Sequence, residues 1–400
     1  MENNILRKNI KIFFIYRFLS RFYMYLPILA IVLYKFNLSF ILISIVIAAH
    51  GLSLMIFKIP LGYLTKQNSM PNKTIVIIGE ILKSLGILGL GFSNGIYSLL
   101  IIAQVISGIG FALTSSTESN LLFTAMKMEN AENEYRSIEA RSQGYSFLAV
   151  LISGIIGSVL AAKNITLPLL LTAPFSLISA ITMLLFHEQR VAAEKTEYAK
   201  QEEAGSNIGR IVNYLFFYAI NRATILTVFV FVLPIFLLLS FQINLVYFGA
   251  ILSLFSLTAF VIANNFEKIS SYFNKSQLWI ITPLSLLIAL ALLLLKSKIL
   301  LLAVPVMLGI SASLIRPLTM GRVFFLVKEN RNQVVSLGEQ MFGLLNAIFL
   351  ILMGYSFKFF PFSSAIYALI IVLLIGNAIM LISMKMLENT QITEQTAKSK

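Results

Sequence analysis

The 400-residue chain contains no cysteine and no aspartate, only two histidines, and one tryptophan. Without cysteine there is no disulfide framework, no thiol nucleophile and no cysteine-ligated metal. His50 and His187 stand far apart and suggest no metal site, so neither a metal nor any other cofactor is expected. Charge is scarce too. Charged residues make up 12% of the chain, against about 25% in a soluble domain. A G-x-x-x-x-G-K-[ST] phosphate loop is absent, which argues against an ATP-driven pump. No nucleophile–base constellation suggests an enzyme.

What the chain has is apolar length. Its mean hydropathy is +0.87, and runs of about 20 apolar residues, each enough to cross a bilayer, recur from end to end. We read twelve spans, near 13–34, 39–60, 74–92, 97–123, 143–162, 166–186, 216–240, 244–264, 278–295, 299–320, 337–357 and 363–386. Backbone groups in lipid must be satisfied within the segment, so these are helices. No ten-residue alternation suggests a barrel. The fold class is an all-α polytopic membrane protein. The first run starts near Phe13, continues past Ile31 and lacks a small-residue cleavage site, so it reads as a span rather than a cleavable signal.

The formal net charge is +14. The lysines and arginines sit in short loops between spans rather than on a soluble domain, so nucleic acid is not the expected partner. With the N-terminus inside, the inner segments, counting Lys385 at the inner end of the last span, hold twenty Lys and Arg, among them Arg7, Lys8, Lys11, Lys66, Lys73, Lys127, Arg136 and Arg141. The outer loops hold five: Lys35, Lys163, Lys296, Lys298 and Lys358. This asymmetry predicts cytoplasmic termini. The longest polar stretch, from His187 to Arg210, divides the spans six and six. The expected organisation is a six-helix bundle over 1–186, a cytoplasmic linker over 187–209, and a second six-helix bundle over 210–400 that ends in a short cytoplasmic tail.

Two loops at equivalent places in the halves look alike. Between spans two and three, "FKIPLGYLTKQNSMPNK" carries Gly62, Leu64 and Thr65, then Lys66, Gln67, Ser69 and Lys73. Between spans eight and nine, "ANNFEKISSYFNK" carries Ala263, Glu267, Lys268 and Ser270. Span four holds "QVISGIGFA", with Gln104, Gly108, Gly110 and Ala112. Small residues at that spacing suit close helix packing, and packing alone accounts for the glycines. Together with the six-plus-six plan, these stretches resemble the major facilitator superfamily. That family carries G-x-L-A-D-R-x-G-R-K in the first loop and R-x-x-x-G-x-G-x-A in span four. Here Lys66 and Gln67 replace the first loop's acid and base, Glu267 keeps an acid in the second loop, and Gln104 replaces the span-four arginine. The antiporter pattern G-P-x-x-G-G is met in span five only by "SGIIGS", with Gly154 and Gly157 and no proline. The resemblance implies a twelve-helix transporter in a bacterial inner membrane, built from two pseudo-repeat bundles and expected to act as a monomer.

Ionisable residues within spans are costly and are functional candidates by default. Glu118 in span four is the leading carboxylate for proton coupling, set against a glutamate that merely reaches water at the interface. Glu80 and Lys83, three apart on one helical face, are expected to neutralise each other. His50 is a further proton candidate, set against a packing histidine. Glu139 and Glu339 begin spans five and eleven and read as interfacial. Arg17, Arg21, Lys58, Arg222 and Arg316 form either a positive vestibule for an anionic substrate or a set that snorkels to lipid headgroups. Tyr23 and Tyr25 are candidates to line the cavity.

The expectation is a secondary transporter working by alternating access, with a small-molecule substrate, protons as coupling ion and the bilayer as surroundings. Export of an antibiotic, peptide-like or amphipathic compound is the first reading. Uptake or exchange of a small anionic nutrient is the alternative, and a non-transporting sensor or scaffold is the third. The missing aspartate bears on the first. Some antibiotics, microcin C among them, block aspartyl-tRNA charging, and a self-protective exporter translatable without aspartate would suit their producer.

Overall fold

The computed structural model describes residues 2–66, 70–188, 205–295, 297–327 and 331–398. Most of the expected linker, and Gln67 to Ser69 of the first motif loop, lie outside them. The surroundings of Gly62 and the side chain of Lys66 are likewise undescribed.

Among the described residues, eleven helices are long and apolar enough to cross a membrane. The first half has α1 (Glu2–Ser20), α2 (Leu29–Lys35), α3 (Phe40–Lys66), α4 (Asn72–Phe92), α5 (Tyr97–Met128), α6 (Tyr135–Lys163) and α7 (Leu167–Leu184). The second half has α8 (Gly205–Thr227), α9 (Leu233–Phe241), α10 (Leu245–Asn264), α11 (Phe266–Tyr272), α12 (Lys275–Leu294), α13 (Lys298–Leu301), α14 (Ala303–Leu326), α15 (Arg331–Phe359) and α16 (Phe362–Lys398). The even number of crossings puts the start of α1 and the end of α16 on one face, called here the N-terminal face.

The twelfth crossing is not the continuous helix expected over 13–34. It is α1, a break at Arg21–Tyr25, a 3-10 turn at Leu26–Ile28 and then α2. Pro27 lies in the 3-10 turn. It has no N–H to give, so the α-helical hydrogen-bond ladder is interrupted there. Two features of α6 and α7 accommodate the break. The Met24 N–H donates to Thr172 Oγ1 at 3.1 Å. Gly157 of α6 lies so close to the Met24 carbonyl that any Cβ there would overlap it. The "SGIIGS" stretch thus serves the bend in span one. The equivalent span of the second half is also irregular at mid-length. A π-helical turn, Val228–Val232, joins α8 to α9 just before Pro234, which absorbs the hydrogen bond that proline cannot make.

The two halves meet chiefly along α6 with α10 and α3 with α15. Both seams depend on absent side chains. A Cβ on Gly51 would come 3.0 Å from the Gly343 carbonyl, and one on Gly343 would come 2.6 Å from the Gly51 carbonyl. Gly154 and Gly249 make a similar crossing between α6 and α10. Contact extends to both faces. Gly144 meets Asn264 towards the N-terminal face, and Phe40 packs on Phe357 towards the other. Residues Ile28 to Leu33 are almost wholly buried in the shared apolar core.

Within the first half the closest pair is α4 and α5. Gly108 and Gly110, singled out from sequence, face different neighbours. A Cβ on Gly108 would come 2.7 Å from the His50 carbonyl of α3, and one on Gly110 would come 2.5 Å from the Gly79 carbonyl of α4. Gln104 is buried on the same helix. Lys73, the basic residue late in the motif loop, donates to the carbonyls of Leu184 at 2.7 Å and Phe186 at 3.0 Å, at the end of α7. A cation there suits the negative helix terminus. Glu188 in return accepts the N–H groups of Asn72 and Lys73 at the start of α4. Glu267 and Lys268 lie exposed on the short helix α11 rather than in a loop.

Gly110→Val is expected to destabilise the fold by about 1–3 kcal/mol, because backbone atoms on α4 cannot yield as a flexible side chain would. Gly209→Ala, where a Cβ meets nothing within 4 Å, should leave the thermal-unfolding midpoint in detergent near wild type. Equal midpoints for both variants would contradict the packing account.

Candidate functional site

The last turns of α1 and the residue after it carry two i,i+4 pairs, Tyr16 with Ser20 and Arg17 with Arg21, so two adjacent polar stripes run through the otherwise apolar stretch from Ile12 to Phe22. They face α4 and α5. Arg17 Nη1 and Arg21 Nη2 each lie 2.8 Å from the same oxygen, Glu118 Oε1. Arg17 Nη2 also reaches Glu139 Oε1 of α6 at 2.9 Å. Ser119 Oγ donates to that Glu139 oxygen at 3.1 Å. On the other side, Lys83 Nζ lies 2.8 Å from Glu80 Oε1, which also accepts from Ser20 Oγ at 2.7 Å. The Phe111 ring packs beneath both Arg21 and Lys83 at 5.3 Å.

The second half has a simpler counterpart. Arg222 of α8 pairs with Glu339 of α15 at 2.6 Å, and Tyr218 OH donates to the same oxygen at 2.8 Å. The Arg222 guanidinium also donates to Tyr218 OH and lies 4.1 Å from the Phe342 ring centroid. Thus an arginine on the first span of each half meets a glutamate near the start of the fifth. One link between the halves is through charge. Arg316 of α14 comes 3.8 Å from Glu139 and 3.4 Å from Ser119 Oγ. That contact is long beside the 2.6–2.9 Å pairs within each half.

These groups are deep. The Glu118 and Glu80 side chains are 0% exposed, and Arg17 is 1% exposed. Glu118 lies ten residues from the end of α5, about 15 Å along the helix. In such surroundings a charge persists only when paired and hydrogen-bonded. Arg316, Arg222 and Glu139 keep 17–25% exposure, which marks a solvent-reached space between the halves. Among the described residues of this region, six cations (Arg17, Arg21, Lys58, Lys83, Arg222 and Arg316) stand against four carboxylates (Glu80, Glu118, Glu139 and Glu339).

Several sequence expectations need correction. Arg17 and Arg21 do not snorkel to headgroups; carboxylates on neighbouring helices draw them inward. Lys58 is buried as well. Glu118 does not reach water, because two guanidiniums cover it. Glu339 is buried and Glu139 mostly so, and neither is interfacial. Tyr25 is buried in the apolar core rather than lining a space, whereas Tyr23 is half-buried beside Arg21. His50 packs its ring on Phe111 at 5.7 Å. Glu80 and Lys83 do make the pair that their spacing implies. Sequence reasoning missed Tyr16, Ser20, Ser119 and Tyr218, all uncharged. The available signal was the i,i+4 stripe beside the arginine stripe.

Arg17→Leu strips a guanidinium from two buried carboxylates at once and is expected to cost about 3–5 kcal/mol. Chemical unfolding in detergent measures it. A loss below about 1 kcal/mol would mean that the network is not what holds α1 to α5 and α6.

No curated protein matches the sequence. Among solved structures, a mutant of the nucleoside transporter NupG superimposes with a TM-score of 0.71 at 12% identity, over 96% of this chain and 99% of that one. NupG itself gives 0.69 at 11% identity, over 95% and 99%. At such identities the likeness speaks for the fold. The sequence profile of the Major Facilitator Superfamily matches residues 13–321, well over half of the chain. With its all-helical fold, the chain belongs to the major facilitator superfamily of transporters.

Proposed function

We propose that the chain is a secondary transporter that moves a small organic solute carrying an anionic group, by rocking of residues 1–186 against 210–386. The observation that carries this reading is the excess of cations over carboxylates in this region among the described residues, with Arg222 and Arg316 partly exposed. A site with low-dielectric walls and one sign of charge concentrates solutes of the opposite sign. Opening the N-terminal face requires parting Arg316 from Glu139 and Ser119, and an incoming anion supplies Arg316 with a replacement partner. Loop charge makes that face the cytoplasmic one, in a bacterial inner membrane. Protons are the proposed coupling ion. The nucleoside-transporter neighbours accord with uptake of a small polar solute. The absence of aspartate favours a second reading, export of an antibiotic that blocks aspartyl-tRNA charging.

Expressing and non-expressing cells, challenged with labelled anionic solutes and toxic compounds with and without a proton uncoupler, test both. At least one anion should accumulate or be excluded in an uncoupler-sensitive manner. Arg222→Gln or Arg316→Gln should weaken its apparent affinity about tenfold, ~1.4 kcal/mol. Movement of neutral or cationic compounds alone, indifferent to both substitutions, contradicts the anion reading. Equal sensitivity to blockers of aspartyl-tRNA charging removes the export reading.

A further inference from the structure

Helix α1 begins well before its apolar stretch, and that start has two faces. Leu6, Ile12 and Phe13 are buried in one apolar cluster with Ile138 of α6. Arg7, Lys8 and Lys11 are exposed. Arg7, Lys11, Phe14 and Phe18 follow one another at steps of four, three and four, so they form a single strip along the helix. Helix α6 lies beside this strip. The Phe14 ring stacks on Tyr145 with centroids 5.0 Å apart. Tyr145 stays 42% exposed, on the face of α6 that Ile155, Ile156 and Val159 continue as exposed apolar surface. The stack therefore looks out to lipid rather than into the space between the halves. About one turn nearer the N-terminal face, each helix presents an exposed cation, Lys11 on α1 and Arg141 on α6. Deeper, Phe18 and Ile152 of α6 pack on one small apolar cluster.

Four cations, Arg7, Lys8, Lys11 and Arg141, thus gather at one end of a groove floored by aromatic rings. None of the four meets a carboxylate among the described residues. On α6 the flanking acids are Glu139, engaged by Arg17, and Glu134, about two turns beyond Arg141. Like charges four apart on a helix repel unless an anion joins them. Nor does the repeat of the fold demand this cluster. Matching Arg17–Glu139 to Arg222–Glu339 carries Arg7, Lys8 and Lys11 to Val212, Asn213 and Phe216 of α8, and Arg141 and Tyr145 to Met341 and Leu345 of α15. Where the first half has a basic groove, the second has an uncharged one.

We propose that the groove between α1 and α6 binds an anionic phospholipid from the leaflet on the N-terminal face. Its phosphate lies among Arg7, Lys8, Lys11 and Arg141, and an acyl chain runs past Phe14, Tyr145 and Ile15. The depth suits such a ligand. Aromatic rings gather at a membrane boundary, as Phe14 and Tyr145 do here. Arg7 lies about 10 Å farther out along α1, at the level of the headgroups, which long basic side chains also reach by stretching along the apolar surface. Guanidinium and ammonium groups from two helices match a phosphate that keeps its charge. A zwitterionic headgroup brings a cation of its own into the cluster. The lipid bridges α1 and α6, the same two helices that Arg17 and Glu139 join deeper in the structure. It supports the buried network from the bilayer side, whatever solute the protein carries.

Native mass spectrometry of the purified, delipidated full chain tests the site, with phosphatidylglycerol and phosphatidylcholine of matched acyl chains as probes. The wild type should retain phosphatidylglycerol over phosphatidylcholine by about tenfold or more, as several cations around one anionic headgroup imply. Combined Lys8→Gln, Lys11→Gln and Arg141→Gln should abolish the preference. Combined Lys127→Gln, Lys268→Gln and Lys298→Gln, which removes as much charge from exposed positions elsewhere, should keep it. No preference in the wild type, or an equal loss in both triple variants, would overturn the site. Displacement of the lipid by an excess of glycerol phosphate would mark a soluble-anion site and overturn it too. A second measurement leaves the cations in place. Trp279→Phe removes the single tryptophan, and Ile15→Trp then puts one beside the groove. Its fluorescence should be quenched more by phosphatidylglycerol with brominated chains than by brominated phosphatidylcholine. Equal quenching would contradict the proposal.

Discussion

Two guanidiniums from one helix converge on a single oxygen of Glu118, and the first half is arranged around that convergence. The attraction is strong because the surroundings are dry, and it is obligatory for the same reason, since none of the three charges is tolerable there alone. It holds α1 against α5. Through the second arm of Arg17 it also holds α6, and through Ser20 and Tyr16 it extends to Glu80 and Lys83 on α4. Four helices are thereby fixed with respect to one another at the level where the first span breaks. The break begins at Arg21, so this arginine is anchored on one side by a helix and on the other by an irregular chain that Gly157 leaves room for.

The seams between the halves work by a different principle. They are apolar and glycine-lined, and they allow backbones to approach where side chains are missing. Such surfaces carry few directional bonds, so sliding or rocking along them breaks little. Charge crosses between the halves through the long Arg316–Glu139 contact. Short pairs within each half and a longer Arg316–Glu139 contact between them suit two rigid bodies that move against each other.

Most of the architecture was legible in the sequence because a span is a composition, and twelve apolar runs declare themselves. The helix ends were less legible. Segments such as the polar end of α5 and the start of α6 continue as helix beyond the apolar stretch, since residues like Glu, Lys and Met favour helix in water too. The break in span one escaped notice because Pro27 sits in an apolar run of the right length. The charged candidates were legible as residue types, but their destination was not. Hydropathy places Arg17 near a membrane face and cannot say whether it reaches out to lipid or in to Glu118. That choice is settled by carboxylates about a hundred positions away. Lys66, a charge reversal in the first motif loop, had no such partner visible in sequence, and Lys73 proved to be the residue that ties this loop to α7.

On this account the Arg316–Glu139 contact between the halves holds the N-terminal face closed. Because the chain has no cysteine, spin labels can be introduced in pairs without background. Met128→Cys with Tyr272→Cys reports the N-terminal face, and Ile96→Cys with Ile299→Cys reports the other; all four positions are exposed. Pulsed electron–electron distance measurement, with and without Arg316→Gln, then reads both faces. The account predicts that Arg316→Gln lengthens the first distance and shortens the second. Two distance distributions that ignore the substitution would contradict it.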